Sequence, residues 1–354
     1  MPETLAPPPQ LSAGMPVEIG KIDRELKKLW DQSDGAMTRA SLINLAVYSE
    51  APGSLPLNTA AIAEITEDHA CRAIVIGAEP NAPEHGVEAW ISAHCHVTGA
   101  GSKQICSEQL SFLLKGASEN LLRSIVFSHL DSDLPLYLWW QGEFPETMDP
   151  QLWAWVDRLI YDSQVWHDVP AQIGRIETAQ CEAKQRVVLC DLNWTRLVHV
   201  RLALAQFFDH PRSHRHLSEI QSLEIDHAPG FRSTAVLLAG WLAAQLGWKA
   251  ERTRDAEFSF VDRADKRIAL VLAETTGEGI SRCRVRCQTI ELEVAHPPKA
   301  DLLNVSVNAG GKERMRQLMP AGRDTAVQLM GEELMRGGPH RVYLRALNCV
   351  RDFL

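Results

Sequence analysis

Arginine occupies every second position from Arg282 to Arg286, and the intervening positions are small and apolar. This alternation has the period of a β-strand, so it places Arg282, Arg284 and Arg286 on one face. Guanidinium groups bind phosphates and carboxylates through paired hydrogen bonds. The sequence therefore offers this row of arginines as a candidate contact for an anion or an acidic partner. A solvated strand face is the alternative, because charged side chains usually stay in water.

Two cysteines of the same run, Cys283 and Cys287, have the spacing of a possible redox pair. Positions four apart on a strand are separated by roughly 13 Å. A disulfide requires Cα atoms within about 7 Å of each other. We therefore expect both side chains to be core residues without a bond between them.

Adjacent tryptophans, Trp139 and Trp140, end a predicted strand that begins at Leu134 and is followed by Gly142. Neighbouring side chains of a strand point to opposite faces, so one ring can be buried while the other is presented at the strand end. Ligands of open α/β sheets bind at the carboxyl ends of the strands. Trp139 and Trp140 are therefore candidate contacts, with burial of both rings as the alternative.

Histidines supply no convincing metal motif. His94 and His96 project to one face of a predicted strand, so at most two ligands converge there, and a hydrogen-bonded pair is the expected state. The histidine-rich loop 210–216 contains no cysteine or carboxylate of its own and is expected to be solvated or to face an anion. We recognise no nucleophile–base pair and no metal triad, so the sequence predicts neither catalytic nor metal-binding residues.

Phosphate-binding motifs are incomplete as well. The predicted turn at 99–101 has the first two glycines of a dinucleotide fingerprint without the third. The segment Gly310-Gly311-Lys312 lacks the upstream glycine and the Ser/Thr of a P-loop. The sequence therefore predicts no cofactor.

Composition restricts the class of protein. The chain has 354 residues, 45% of them hydrophobic and 23% charged, which is typical of a globular protein. A net charge of −9 argues against nucleic acid as a partner. The apolar run 235–246 is shorter than the roughly 20 residues that a membrane span needs, so no membrane association is expected. The proline-rich start lacks the features of a secretory signal, and the eight cysteines contain no C-x-x-C motif. We therefore expect a cytoplasmic protein with mostly reduced cysteines.

Charge divides the chain into two parts. Residues 1–180 hold 11 Lys/Arg and 24 Asp/Glu, a net charge of −13, whereas residues 181–354 hold 25 and 21, a net charge of +4. We predict a disordered lead-in over 1–16, an N-terminal α/β domain over 17–180 and a C-terminal α+β domain over 181–354.

Hydrophobic periodicity predicts the elements of each domain. In the first, strands are predicted at 40–48, 71–76, 87–97 and 134–140, and helices at 17–31, 57–69, 107–129 and 152–160. In the second, strands are predicted at 186–190, near 223, and at 257–261, 267–274 and 280–294, with helices at 194–208, 234–246 and 324–335. Asn193 is the predicted N-cap of the helix at 194–208. Alternating strands and helices predict a mostly parallel first sheet, and successive strands predict an antiparallel second sheet.

One segment of the chain is Asp133-Leu134-Pro135-Leu136-Tyr137-Leu138-Trp139-Trp140-Gln141-Gly142. It resembles the segment DLPxxLWWxG of the OpcA family, the glucose-6-phosphate dehydrogenase assembly proteins of bacteria. The other similar segments, in chain order, are 42–48, 69–76, 158–163 and Asp191-Leu192-Asn193-Trp194-Thr195-Arg196-Leu197 leading to 206–209.

The resemblance implies a non-catalytic partner of glucose-6-phosphate dehydrogenase, the NADP-dependent enzyme of the oxidative pentose phosphate pathway. Such a partner promotes assembly of the active oligomer or activates it allosterically. In some members, paired cysteines near the C-terminus link this to thioredoxin, and here that region has only Cys349. The alternative is an enzyme that acts on a sugar phosphate or nucleotide sugar. Its pocket would be the acidic residues Asp131 and Asp133 or the row of arginines.

Overall fold

The structure is a computed structural model that describes residues 13–31, 37–97, 104–116, 119–184, 187–252, 258–337 and 340–354. It divides into an N-terminal unit, comprising residues 1–161, 175–189 and 334–336, and a C-terminal unit, comprising 162–174, 190–333 and 337–354. The chain changes unit after residues 161, 174, 189, 333 and 336, and the predicted domain boundary after residue 180 stays a prediction. Of the predicted lead-in, residues 1–12 lie outside the described residues, and Met15–Val17 form a strand.

The N-terminal unit is built on one twisted sheet. Its strands are β1 (Met15–Val17), β2 (Met37–Arg39), β3 (Ile43–Ser49), β4 (Cys71–Glu79), β5 (Gly86–Val97), β6 (Gln104–Lys115), β7 (Leu136–Gln141) and β8 (Val156–Tyr161). Its helices are α1 (Ile22–Asp31), α2 (Ser54–Asp68), α3 (Glu119–His129) and α4 (Pro150–Trp153). Helix α5 (Val169–Ala183) and strand β9 (Val188–Asp191) follow, and each contains residues of both units.

The strands lie in the order β1-β5-β6-β4-β3-β7-β8-β9, and β2 pairs with β6. β3 is parallel to both neighbours, β4 and β7. At one side of the sheet, β5 runs antiparallel to β6, and the edge strand β1 runs antiparallel to β5. The central strands are apolar on both faces, with residues 45–47 and 73–76 fully buried, as expected for a parallel sheet between other layers. The predicted α/β fold with a mostly parallel sheet is confirmed.

Two predicted helices of this unit are wrong in part. Residues 107–115, predicted as helical, belong to β6, which pairs with β4 on one side and with β5 on the other. Residues 156–160, also predicted as helical, belong to β8, and only Pro150–Trp153 form a helix before it. Short apolar runs fit a buried strand and a buried helix equally well, and pairing with neighbouring strands decides between them.

The C-terminal unit contains a second sheet of strands with helices. Its helices are α6 (Leu192–Arg196), α7 (Val198–Asp209), α8 (Pro211–His214), α9 (Arg232–Leu246), α10 (Ala326–Met335) and α11 (Arg341–Val350). Its strands are β10 (Ile220–His227), β11 (Lys249–Arg252), β12 (Phe258–Val261), β13 (Arg267–Glu274), β14 (Ile280–Cys287), β15 (Ile290–Ala295), β16 (Leu302–Ala309) and β17 (Lys312–Pro320).

The second sheet has the order β11-β12-β13-β10-β14-β15-β16-β17, and every described pairing except β10 with β13 is antiparallel. Helix α9 is buried from Thr234 to Ala243 and packs against α11. The predicted α+β class is confirmed. The predicted strand 280–294 is instead the hairpin β14–β15, and β16, β17 and α11 were not predicted. Among the described residues, no helix is both long and apolar enough to cross a membrane.

Candidate functional site

A cavity of about 320 Å³ lies at the carboxyl ends of β3 and β7 in the N-terminal unit. The chain passes from β3 through α2 to β4 on one side, while β7 lies on the other side of β3. Ligands of open α/β sheets bind at such a topological switch point. Six of the residues that line the cavity are Tyr48, Glu50, Arg123, Trp140, Asp149 and Trp153.

Aromatic side chains form one wall of this cavity. Tyr48 and Trp140 are paired in register, and their rings stack with centroids 4.2 Å apart. The Tyr48 hydroxyl donates to Glu50 Oε1 at 2.7 Å, and Trp140 Nε1 donates to the Glu143 carbonyl at 3.1 Å. The wall thus presents a flat apolar surface beside a carboxylate, which suits a polyol or an apolar side chain of a partner.

Both predicted tryptophans are buried, Trp139 to 4% and Trp140 to 6% of full exposure. The two rings therefore pack in the core, and Trp140 in addition borders the cavity. Contact of Trp139 or Trp140 with a partner stays a prediction. Asp131 and Asp133 precede β7 and lie at its amino end, away from the cavity at its carboxyl end.

The loop from β3 to α2 differs from a dinucleotide-binding loop. Such loops aim backbone N–H groups at a pyrophosphate. Here the Ala51 amide donates to Ser49 Oγ at 3.3 Å and the Ser54 amide donates to the Ala51 carbonyl at 3.1 Å. Pro52 has no N–H. Of the backbone nitrogens in this loop, those of residues 51 and 54 are thus engaged within the loop and that of residue 52 has no hydrogen to donate.

The two strand histidines are hydrogen-bonded, as predicted. His94 Nε2 lies 2.9 Å from Gln109 Oε1, and His96 Nε2 lies 3.2 Å from Thr66 Oγ1. Between them Cys95 points to the other face and forms a disulfide with Cys106, its partner in the antiparallel pair β5–β6. The six other cysteines, all of them among the described residues, form no disulfide.

In the C-terminal unit, the row of arginines lies on β14 between two strands that carry carboxylates. The register places Arg282 opposite Asp226 and Arg284 opposite Glu224 on β10, and it also places Arg284 opposite Glu293 on β15. Side-chain alternation therefore creates three adjacent rows on one sheet face, acidic, basic and acidic.

Each guanidinium of the row has a carboxylate partner. Arg284 lies 3.0 Å from Glu224 and 2.8 Å from Glu293. Arg286 lies 3.0 Å from both Glu224 and Glu291, and Arg282 lies 2.5 Å from Asp226. An external anion would have to displace one of these carboxylates, so a phosphate is a poor ligand for this face. Contact of the row with a protein partner stays a prediction.

A second feature of this unit was not predicted from the sequence, namely a buried polar network around Asp191. Asp191 Oδ1 accepts from the Ser163 and Asn193 amides, each at 3.0 Å, and Oδ2 accepts from Ser163 Oγ at 2.6 Å. Thr234 Oγ1 donates to Asn193 Oδ1 at 2.6 Å. Burial raises the pKa of Asp191 to about 7, and the neighbouring Asp162 carboxylate acts in the same direction.

Asp191, and not Asn193 as predicted, is the N-cap of the helix that follows. Its side chain accepts from the amide two residues later, and the helix begins at Leu192. Asn193 is fully buried within α6, where its amide group joins the network. Aspartate and asparagine are equally good caps, so local sequence does not decide between them.

Beside this network, Arg196 joins distant parts of the unit. Its guanidinium donates to both oxygens of Asp162, at 2.8 and 3.1 Å, and to Asp324. Arg196 and His199 also line a cavity of about 310 Å³. Polar residues of the segments 158–163 and 191–197 meet here. These two family-like segments are the part of the sequence that could have indicated the network.

Two family models match the chain in order. The model of the N-terminal domain of the glucose-6-phosphate dehydrogenase subunit matches residues 62–178, and the model of the C-terminal domain of the same protein matches residues 187–347. Both models carry the name OpcA. The chain belongs to the OpcA family.

Curated relatives of this OpcA-family chain are named OxPP cycle protein OpcA. The protein from Synechocystis sp. is 25% identical over 90% of this chain and 71% of its own length. The protein from Synechococcus elongatus is 26% identical over 74% of this chain and 63% of its own length. A relative from Nostoc punctiforme is 30% identical, and the match covers 52% of this chain and 40% of the relative's own length.

Solved structures that resemble this chain at low sequence identity include two oxidoreductases. An aldose-aldose oxidoreductase from Caulobacter crescentus has a TM-score of 0.47 and 11% identity, covering 88% of this chain and 96% of its own. The oxidoreductase yvaA from Bacillus subtilis has a TM-score of 0.46 and 8% identity, covering 89% of this chain and 95% of its own.

Proposed function

We propose that this OpcA-family chain is a non-catalytic assembly factor and allosteric activator of glucose-6-phosphate dehydrogenase in the oxidative pentose phosphate pathway. The observation that carries the proposal is the match of both dehydrogenase-subunit domains, in order, across residues 62–178 and 187–347. The names of the cyanobacterial relatives refer to the same pathway.

The loop after β3 supports the non-catalytic part of the proposal. A dehydrogenase of this sheet type needs amide groups that hold the cofactor's pyrophosphate. The loop after β3 in this chain contains Pro52, which has no N–H, and the amides of Ala51 and Ser54 are engaged within the loop. The cavity beside this loop offers an aromatic wall and the Glu50 carboxylate. These groups favour contact with a protein side chain over a cofactor phosphate.

Activation in this proposal arises from a coupling free energy between binding of the chain and the active state of the dehydrogenase. The chain binds the active oligomer of the dehydrogenase more tightly than the inactive forms, and it shifts the population by that difference. Allosteric couplings of about 1–3 kcal/mol change an apparent affinity about 5- to 150-fold.

Steady-state kinetics of the cognate dehydrogenase test the proposal. Adding the purified chain in saturating amounts is expected to lower the KM for glucose 6-phosphate or to raise the fraction of active oligomer seen by native mass spectrometry. The chain alone is expected to reduce no NADP⁺ with glucose 6-phosphate. Addition of the heat-denatured chain is the control, and it should change neither the KM nor the oligomer distribution of the dehydrogenase.

Two results would contradict the proposal. One is a dehydrogenase whose KM, kcat and oligomer distribution are all unchanged at saturation. The other is turnover of a sugar phosphate or nucleotide sugar by the chain alone, which would favour the enzyme alternative.

A further inference from the structure

Three side chains of types that bind metals meet in the C-terminal unit, outside the features described above. Cys190 lies near the end of β9, Glu333 lies in α10, and His340 immediately precedes α11. The thiol sulfur, a carboxylate oxygen and an imidazole nitrogen all lie within 4.8 Å of one another. Cys190 is fully buried, Glu333 is 1% exposed, and the His340 side chain is 11% exposed.

The donor set defines the class of cation that would fit. A thiolate, an imidazole and a carboxylate together suit zinc and similar divalent transition metals, whereas calcium and magnesium prefer sets of oxygen ligands. Bond lengths of about 2.0–2.3 Å in tetrahedral zinc sites place the ligand atoms roughly 3.3–3.7 Å apart. Side-chain shifts of about 1 Å would bring the three atoms to that spacing.

Neighbouring contacts orient two of the three ligands. The hydroxyl of Thr195 donates to Glu333 Oε1, and the other oxygen, Oε2, lies 3.0 Å from His340 Nε2. Among the described residues, the buried His340 Nε2 makes no hydrogen bond of acceptable geometry, although this oxygen is close. Outer hydrogen bonds that fix a ligating carboxylate are a regular feature of metal sites.

We propose that Cys190, Glu333 and His340 bind one divalent cation of the zinc class, with a water molecule as the fourth ligand. Binding converts the Cys190 thiol to a thiolate and releases its proton to the solvent. The cation joins the end of β9 to the end of α10 and the start of α11. The proposal does not depend on the activation of a dehydrogenase.

Cobalt(II) titration of the full chain, purified in chelator and then freed of it, tests this directly. We expect one cobalt ion per chain, a thiolate-to-cobalt charge-transfer band in the near ultraviolet, and loss of that band on addition of zinc. Cys190→Ser is expected to abolish the band. His340→Gln, which keeps the thiol, is expected to weaken cobalt binding at least tenfold.

Two further variants make the experiment specific. Thr195→Val removes the hydroxyl that holds Glu333 and is expected to weaken cobalt binding about 10- to 100-fold. Cys349→Ser removes a free cysteine of α11 and is the matched control, with binding unchanged. The proposal is overturned if the unmodified chain shows no charge-transfer band, if the band survives Cys190→Ser, or if Cys349→Ser removes it. The first result would leave Glu333 and His340 as a simple ion pair.

Discussion

At the scale of single residues, Asp191 combines two roles in the C-terminal unit. It caps α6, and its side chain, which is buried, accepts three hydrogen bonds from Ser163 and Asn193. Burial disfavours its charged form more than these bonds favour it, so its pKa rises to about 7. The folded protein therefore retains a proton on Asp191 at pH values where the unfolded chain has lost it.

Replacing Asp191 by Asn is expected to reduce the pH dependence of stability. Because the folded-state pKa of about 7 lies above the unfolded value of about 3.9, this carboxyl lowers the free energy of unfolding as the pH rises between those values. The slope for one group is at most about 1.4 kcal/mol per pH unit. Urea denaturation at pH 5 and pH 7 measures it, and Asp191→Asn should show a smaller difference between the two than the unmodified chain.

Asp265→Asn is the matched control for this prediction. Asp265 is exposed and has a positive φ of 60°, which Asn also adopts, so its variant should keep the full pH difference. An Asp191→Asn protein with the same pH difference as the unmodified chain would show that Asp191 is ionised when folded.

At the scale of elements, the strands β10, β14 and β15 form a charged sheet face. Arg284 is 17% exposed and contacts three carboxylates, whereas Arg282 and Arg286 are 41% and 48% exposed. Exposed ion pairs contribute about 0–1 kcal/mol each, and a partly buried charge with several hydrogen bonds contributes more. Arg284 should therefore dominate the stability of the face, while Arg282 and Arg286 are exposed enough to influence the approach of a partner.

Replacing Arg282, Arg284 and Arg286 together by Gln is expected to slow association with the dehydrogenase and to flatten its dependence on salt. Charges at the rim of an interface act mainly on the rate of encounter. From the sequence alone little loss of stability is expected, but the contacts of Arg284 predict a loss of about 1–3 kcal/mol. Stopped-flow association at low and high salt and urea denaturation measure the two effects.

Three positive charges on another strand of the same sheet provide the control. Lys312, Arg314 and Arg316 are exposed on β17, and their replacement by Gln removes the same charge from the chain. If this variant slows association as much as the β14 variant, net charge and not the row of arginines steers the encounter. Unchanged rates in both variants would leave the row as an ordinary solvated face.

At the scale of the whole molecule, the proposed activation must be reciprocal. A chain that raises the affinity of the dehydrogenase for glucose 6-phosphate must itself bind more tightly when the sugar phosphate is present, by the same factor. The two halves of the sequence also differ in net charge, −13 for residues 1–180 and +4 for residues 181–354.

Calorimetric titration of the dehydrogenase with this chain is expected to give a lower Kd when glucose 6-phosphate is saturating. Without NADP⁺ there is no turnover, so both dissociation constants are equilibrium values. Their ratio should equal the factor by which the chain lowers the Kd of glucose 6-phosphate, about 5- to 150-fold. Equal Kd values with and without the sugar phosphate would confine the chain to assembly and exclude allosteric activation through substrate affinity.

Much of the fold follows from local patterns. Apolar runs such as 71–76 predicted the central parallel strands, and the alternation from Arg282 to Cys287 predicted which side chains share a face of β14. Residues 107–115 were predicted as helical because an apolar segment of that length fits either structure. The sites were harder to predict from the sequence. The residues of the network around Asp191 are far apart in the chain, and so are Cys190, Glu333 and His340.

The sequence by itself determined the two fold classes, the family segments and the charge of the arginine row, because these depend on periodicity and on residue type. Only the tertiary structure decided which carboxylates pair with the arginines, because the register of β10, β14 and β15 depends on the whole sheet. It also decided that Asp191 is buried and that Cys190, Glu333 and His340 meet. Contacts between residues distant in the chain arise from packing, and no local pattern records them.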